Sequence, residues 1–224
     1  VILLGGTYVV SDSILMPNNT TLAGVGNGTN IELGNLDVTK IVIQNSDTST
    51  GTGVVIRDLK LDGRNDLNTA GTQVGVRFNG MGGGTGASAR QGARITNVHI
   101  EDFRNEGLFF LNGANNIVSG STMLGNGDSG VKFQGTQTSA ATGNHVQGNG
   151  VGLHLVGSNK VAITGNTVQG NSEGISINSS ATDSTVSGNI IEGSTQYGIV
   201  LNTTSSASIS ANTISDSTSH GIYL

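Results

Sequence analysis

Seven positions of this sequence fall at one phase of a repeat, each two residues after the glycine of a Gly-Ile/Val/Leu pair: Arg77, Phe109, Lys132, His154, Ser176, Val200 and Tyr223. Three of the first four are basic, in a chain whose formal net charge is -5. Arg77 and Lys132 are the side chains that neutralise carboxylates, and His154 is the one whose ordinary pKa lets it exchange a proton near neutral pH. We therefore single out His154, Lys132 and Arg77 as candidate catalytic residues. Phe109, and the amides Asn79, Gln134 and Asn178 at or two residues beyond that phase, are candidate substrate-binding residues.

The elements that must position them follow from the same ruler. The pairs begin at Gly75, Gly107, Gly130, Gly152, Gly174, Gly198 and Gly221, and after a first interval of 32 the spacings are 23, 22, 22, 24 and 23. A second ruler keeps step with it through Asn97, Ser121, Asn144, Asn166, Asn189 and Asn212. Two rulers with one period mean one structural unit repeated. Within each unit the apolar residues alternate, as in Val161, Ile163, Val168, Ile175 and Ile177, which is the period of a strand and not of a helix. Such short strands close a core only when units stack, each strand pairing with its equivalent in the next coil about 4.8 Å away. The expected fold is all-β: a right-handed parallel β-helix of about 22 residues per coil. The stacked Asn side chains are expected to bond along the stack, and the ruler glycines to provide corner conformations closed to a β-carbon.

The whole of residues 1–224 reads as a single β-helix domain cut from a longer chain, with irregular early coils over 1–50 and regular coils over 51–224. A glycine-rich insertion over 81–92 reads as a loop leaving the solenoid. Gly supplies 36 residues, with 1 Pro and no Cys, so there is no disulfide framework and no thiolate metal site. The acidic balance argues against nucleic acid and anionic membranes as partners, and no apolar run reaches the length of a membrane span. Asp62, Asp66, Glu101 and Asp102 form an acidic concentration, but their spacing follows no calcium motif, so no metal site is assigned. No cofactor motif is present either, and none is expected. Glu106 and Asp128, on adjacent coils, are acids able to offset the stacked cations, and are also close enough in register to be considered as a glycosidase pair.

The segments Gly5-Gly-Thr-Tyr8 and Leu22-Ala-Gly-Val-Gly-Asn-Gly-Thr29, with the later Gly-Asn and Gly-Ile coils, resemble the pectate-lyase-like superfamily of right-handed β-helices. Arg57-Asp-Leu-Lys-Leu-Asp-Gly-Arg-Asn-Asp66, followed by Phe78-Asn-Gly80, is similar to the catalytic module of the mannuronan C5-epimerases. The resemblance implies an extracellular or cell- or virion-surface protein acting on or binding an acidic polysaccharide. It does not carry that family's active site across: Gly107-Leu-Phe-Phe-Leu-Asn112 stands where a Tyr, Asp and His run is expected, and Gln73 and Gln134 stand near an expected lysine and aspartate. In lyase or epimerase chemistry Arg77 or Lys132 would neutralise the uronate carboxylate and His154 would take the C5 proton; Tyr197 and Tyr223 lie two or three coils away, too far for one concerted site. The alternative is a non-catalytic β-helical fibre, tailspike segment or adhesin.

Overall fold

The computed structural model describes residues 1–35, 37–82, 91–202 and 206–224. These form twenty-four strands in a fifteen-stranded and a nine-stranded sheet, and no helix occurs among the described residues. One coil shows how the sequence is spent. Val151–Val156 lies in the nine-stranded sheet, and Ala162–Thr164 and Thr167–Gln169 lie in the other. The next coil repeats this with Glu173–Asn178, Ser184–Ser187 and Ile190–Glu192, each parallel to its predecessor. The chain is a right-handed parallel β-helix, as the repeat requires.

Inward residues of both sheets make one continuous core, in which Ile163, Val168, Ile175, Ile177 and Ile199 are wholly buried and Leu201 partly so. Phe78, Phe110 and Phe133 stack inside the nine-stranded sheet, with ring centroids 6.4 and 5.1 Å apart. Each such side chain contributes on the order of 1.5–3 kcal/mol when fully buried.

The Asn stack is real from Asn144 onward. Asn166 Oδ1 accepts from the backbone N and from Nδ2 of Asn144, both at 2.9 Å, and Asn189 and Asn212 continue the pattern. Ser121 joins it by donating its backbone N to Asn144 Oδ1. Asn97 does not belong to it, contrary to the sequence ruler. It occupies the left-handed corner before the stack, at φ 52, where later coils have Gly120, Gly143 and Gly165. The stacked position in its coil is Val98, whose N donates to Ser121 Oγ. A second stack, Asn126, Asn149 and Asn171, closes the other corner and is unmarked by the ruler.

The ruler glycines are required for a different reason from the expected one. None has positive φ. A β-carbon on Gly152 would lie 2.5 Å from the carbonyl oxygen of Gly174 and 2.7 Å from Val168 Cγ1, and one on Gly174 would lie 2.5 Å from the carbonyl of Gly198. They therefore face the core where one coil's backbone touches the next. Within the 81–92 insertion, residues 83–90 lie outside the described ones; Met81, at its start, is buried in the core rather than leaving it.

Two alanine substitutions separate these roles. Gly152→Ala should cost about 3 kcal/mol by overpacking, whereas Gly165→Ala, with φ +64 and no atom within 4 Å of the added carbon, should cost only about 1 kcal/mol. Asn166→Ala should cost about 3 kcal/mol, because it strands buried donors of Asn144. Urea unfolding measures all three, and an equal or reversed order of the two glycine variants contradicts the steric account.

Candidate functional site

The register of the nine-stranded sheet runs Arg77, Phe109, Lys132, His154, Ser176, Val200, Tyr223, one residue per coil. Beside it run Asn79, Leu111, Gln134, Val156 and Asn178. The first four residues of the main column are thus neighbours on one outer face. Asn178 joins them by contacting His154, while Asn79 stands four rungs from Asn178 and shares no ligand-sized site with it.

Phe109 lies between the two cations. Arg77 Cζ and Lys132 Nζ each sit 5.3 Å from its ring centroid, on neighbouring coils to either side. Only 9% of the residue is exposed, so the ring is a spacer between charges more than an open platform. Lys132 Nζ donates to Glu106 Oε1 at 3.0 Å and to Asp128 Oδ2 at 3.2 Å. Glu106 is buried, its side chain 6% exposed, against 17% for Lys132 and 38% for Asp128. Burial opposes the charge on Lys132, but the two carboxylates outweigh it and raise its pKa. Both acids thus meet one ammonium, and the space between them is taken by Lys132 rather than open to a glycosidic bond.

His154 is held by three side chains, two of them in series. Asn202 Nδ2 donates to Asn178 Oδ1 at 3.2 Å, which fixes the orientation of that amide; Asn178 Nδ2 then donates to His154 Nε2 at 3.1 Å. With Nε2 accepting, the ring proton is on Nδ1, which donates to Ser129 Oγ at 3.3 Å. Burial, and then the charge of Lys132, lower the His154 pKa to about 4, so the ring is neutral at neutral pH. Ser129 was not visible as a partner from the sequence. Strict alternation from Val131 turns it inward, but Gly130 and Val131 both face the core, since a carbon on Gly130 would lie 2.7 Å from Val146 Cγ1. That local break returns Ser129 to the outer face, in register with Val151 and Glu173.

The acidic concentration divides. Asp62, Glu101 and Asp102 have oxygens within 4.8 Å of one another, whereas Asp66 pairs with Arg64 at 3.1 Å. Lys60 Nζ already binds Asp62 at 3.4 Å and Glu101 at 2.5 Å, and His99 Nε2 meets Glu101. Burial, then Glu101 and Asp62, raise the pKa of Asp102.

Two outcomes follow from these environments. Because the folded pKa of His154 lies near 4 and the unfolded value is 6.5, the unfolded chain binds the extra proton first, so stability is intact above 6.5 and falls as the pH drops toward 4. The loss should approach about 3 kcal/mol. It should be absent in His154→Gln, as read from urea unfolding across that range; equal pH dependence in both proteins contradicts the burial of a neutral ring. For the acidic cluster, chelator treatment should leave the melting temperature unchanged, because Lys60 already supplies the compensating cation; a drop of several degrees would show a structural metal.

Among solved structures the chain is similar to the enzymatically active domain of a bacteriophage CBA120 tailspike protein (17% identity, TM-score 0.64, covering 93% of this chain and 38% of that one). It is also similar to the catalytic domain of a GH87 α-1,3-glucanase in complex with nigerose (13%, 0.63, 95% and 40%). A third is the A-module of an Azotobacter vinelandii mannuronan C-5 epimerase (14%, 0.53, 100% and 88%). At these identities the likeness is one of fold, and the chain spans well under half of the tailspike and glucanase chains. No curated protein matches the sequence. The family described as periplasmic copper-binding protein (NosD) matches residues 69–224, which hold the whole column from Arg77 to Tyr223, and this chain belongs to that family.

Proposed function

We propose that this chain is a β-helical module that binds an acidic polysaccharide along the outer face of its nine-stranded sheet. The observation that supports it is Arg77 beside Phe109 at one end of a continuous outer column, on a sheet long enough to run beside several sugar units. Tailspike, glucanase and epimerase structures of the same fold, named for action on or contact with saccharides in two of the three cases, are consistent with it. The family's description as periplasmic supports a place outside the cytoplasm.

Turnover is the more demanding part of the proposal. In a polyuronate lyase or epimerase His154 Nε2 would take the C5 proton, while the cation on the adjacent rung, Lys132, is held by Glu106 and Asp128 rather than free for the uronate carboxylate. Nε2 is already engaged by Asn178, so that amide must swing away before the ring can act. A second reading, a rigid non-catalytic spacer or adhesin, draws support from Lys132, whose charge is met by Glu106 and Asp128 without any ligand.

The family's description names copper. Copper favours imidazole, thiolate and thioether ligands. The chain has no Cys, and Met16, Met81 and Met123 are buried in the core. His154 bonds Ser129 and Asn178, His99 meets Glu101, His145 meets Gln147, and His220 packs on Tyr197 and Tyr223. Among the described residues the group of three or more potential ligands is all carboxylate, Asp62, Glu101 and Asp102. These residues do not fit copper, and no step is derived through it.

Titration calorimetry with oligomers of mannuronate and galacturonate is the test. Binding is expected, weakening as salt rises because partly exposed charges are screened over about 8 Å at physiological ionic strength. Ultraviolet detection of unsaturated products and NMR of C5 proton exchange then report turnover, which His154→Ala should abolish where it exists. Absence of binding to either oligomer contradicts the proposal, and binding without turnover supports the spacer or adhesin reading.

A further inference from the structure

We propose that the anionic group of the ligand is taken by Arg77, flanked by Gln44 and Asn79, and that Lys132 is not a ligand-binding cation. This inference rests on the polysaccharide reading and assigns its charge-recognition point. Phe109 carries one cation on each side at the same distance, 5.3 Å, yet the two sides are not alike. Lys132 is ion-paired with both Glu106 and Asp128. Among the described residues no carboxylate pairs with Arg77, whose contact is with the Phe109 ring. One side of the ring is therefore neutralised by the protein and the other is not.

The neighbours of Arg77 suit a bound carboxylate. Gln44 is its direct partner across the strand pair, and Asn79 lies two residues along the same strand on the same face. Both are neutral amides that donate hydrogen bonds without competing as anions, and both are partly exposed. A guanidinium presents two parallel N–H groups that match the two oxygens of a carboxylate, which an ammonium does not. Packing against Phe109 limits the rotamers of Arg77, so less freedom is lost when a ligand binds. The Arg77 end of the column thus selects a sugar bearing a carboxylate, and the Lys132–Glu106–Asp128 cluster serves as a structural charge pair beneath the same face.

The experiment compares oligomannuronate and oligogalacturonate with the same oligomers reduced at the carboxyl group. Wild-type protein should bind the acidic oligomers and bind the reduced ones at least tenfold more weakly. Arg77→Gln should lose at least tenfold in affinity for the acidic oligomers with its melting temperature unchanged, and Arg77→Lys should recover only part of it. The double variant Lys132→Gln/Glu106→Gln, which keeps the net charge, should bind within about twofold of wild type, since it removes a pair that meets its own charge. If the acidic oligomers bind and Arg77→Gln binds them as well as wild type does, or the reduced oligomers bind equally well, the assignment of Arg77 is wrong while the polysaccharide reading stands. If wild-type protein binds none of the oligomers, both are wrong.

Discussion

At Gly152 the backbone of one coil meets the backbone of the next so closely that a β-carbon would stand 2.5 Å from the carbonyl of Gly174, and the same contact recurs at Gly174 and Gly198. At one corner the side-chain oxygens of Asn166, Asn189 and Asn212 hold the coils in step by accepting from both the backbone and the amide of the Asn in the coil before. Buried amides are costly unless fully bonded, so each Asn is stabilising only because its counterpart is one coil away. The stack is cooperative along the axis for that reason, and the hydrophobic core inherits its regularity from it.

A fixed rung spacing has an electrostatic consequence on the outer faces. Any charged residue at a given phase has a neighbour about 4.8 Å away at the same phase, so a column of like charges cannot persist without compensation. The protein resolves this in two ways. Phe109 is inserted between Arg77 and Lys132, and Glu106 and Asp128 converge on Lys132. On the fifteen-stranded sheet Lys60 does the same for Asp62 and Glu101. Arg77 is the place in the column where the compensation stops, and the proposed binding point rests on this asymmetry.

The architecture and the column were legible because both follow from a single period: one residue per coil at each phase is a matter of counting. Glu106 and Asp128 were also legible as acids near the cations. What counting does not reveal is a local break in the count. Asn97 looks like a member of the stack but stands one residue early, in the corner that glycine fills elsewhere. Ser129 looks inward by alternation but faces His154, because Gly130 and Val131 are both turned to the core. The ruler glycines were recognisable as structural, but close approach and backbone conformation give the same sequence mark and differ only in three dimensions. The neutral, doubly bonded state of His154 depends on Asn178 and Asn202, from the next two coils, and on Ser129, which no motif connects to it.

The most direct test of the proposed binding face is amide chemical-shift mapping of the folded chain with an acidic hexasaccharide. Shifts are predicted to concentrate in Lys40–Asn45, Gln73–Asn79 and Leu108–Leu111, on the nine-stranded sheet. Shifts confined instead to Ile117–Ser119, Thr122–Leu124 and their stacked equivalents on the fifteen-stranded sheet would contradict it.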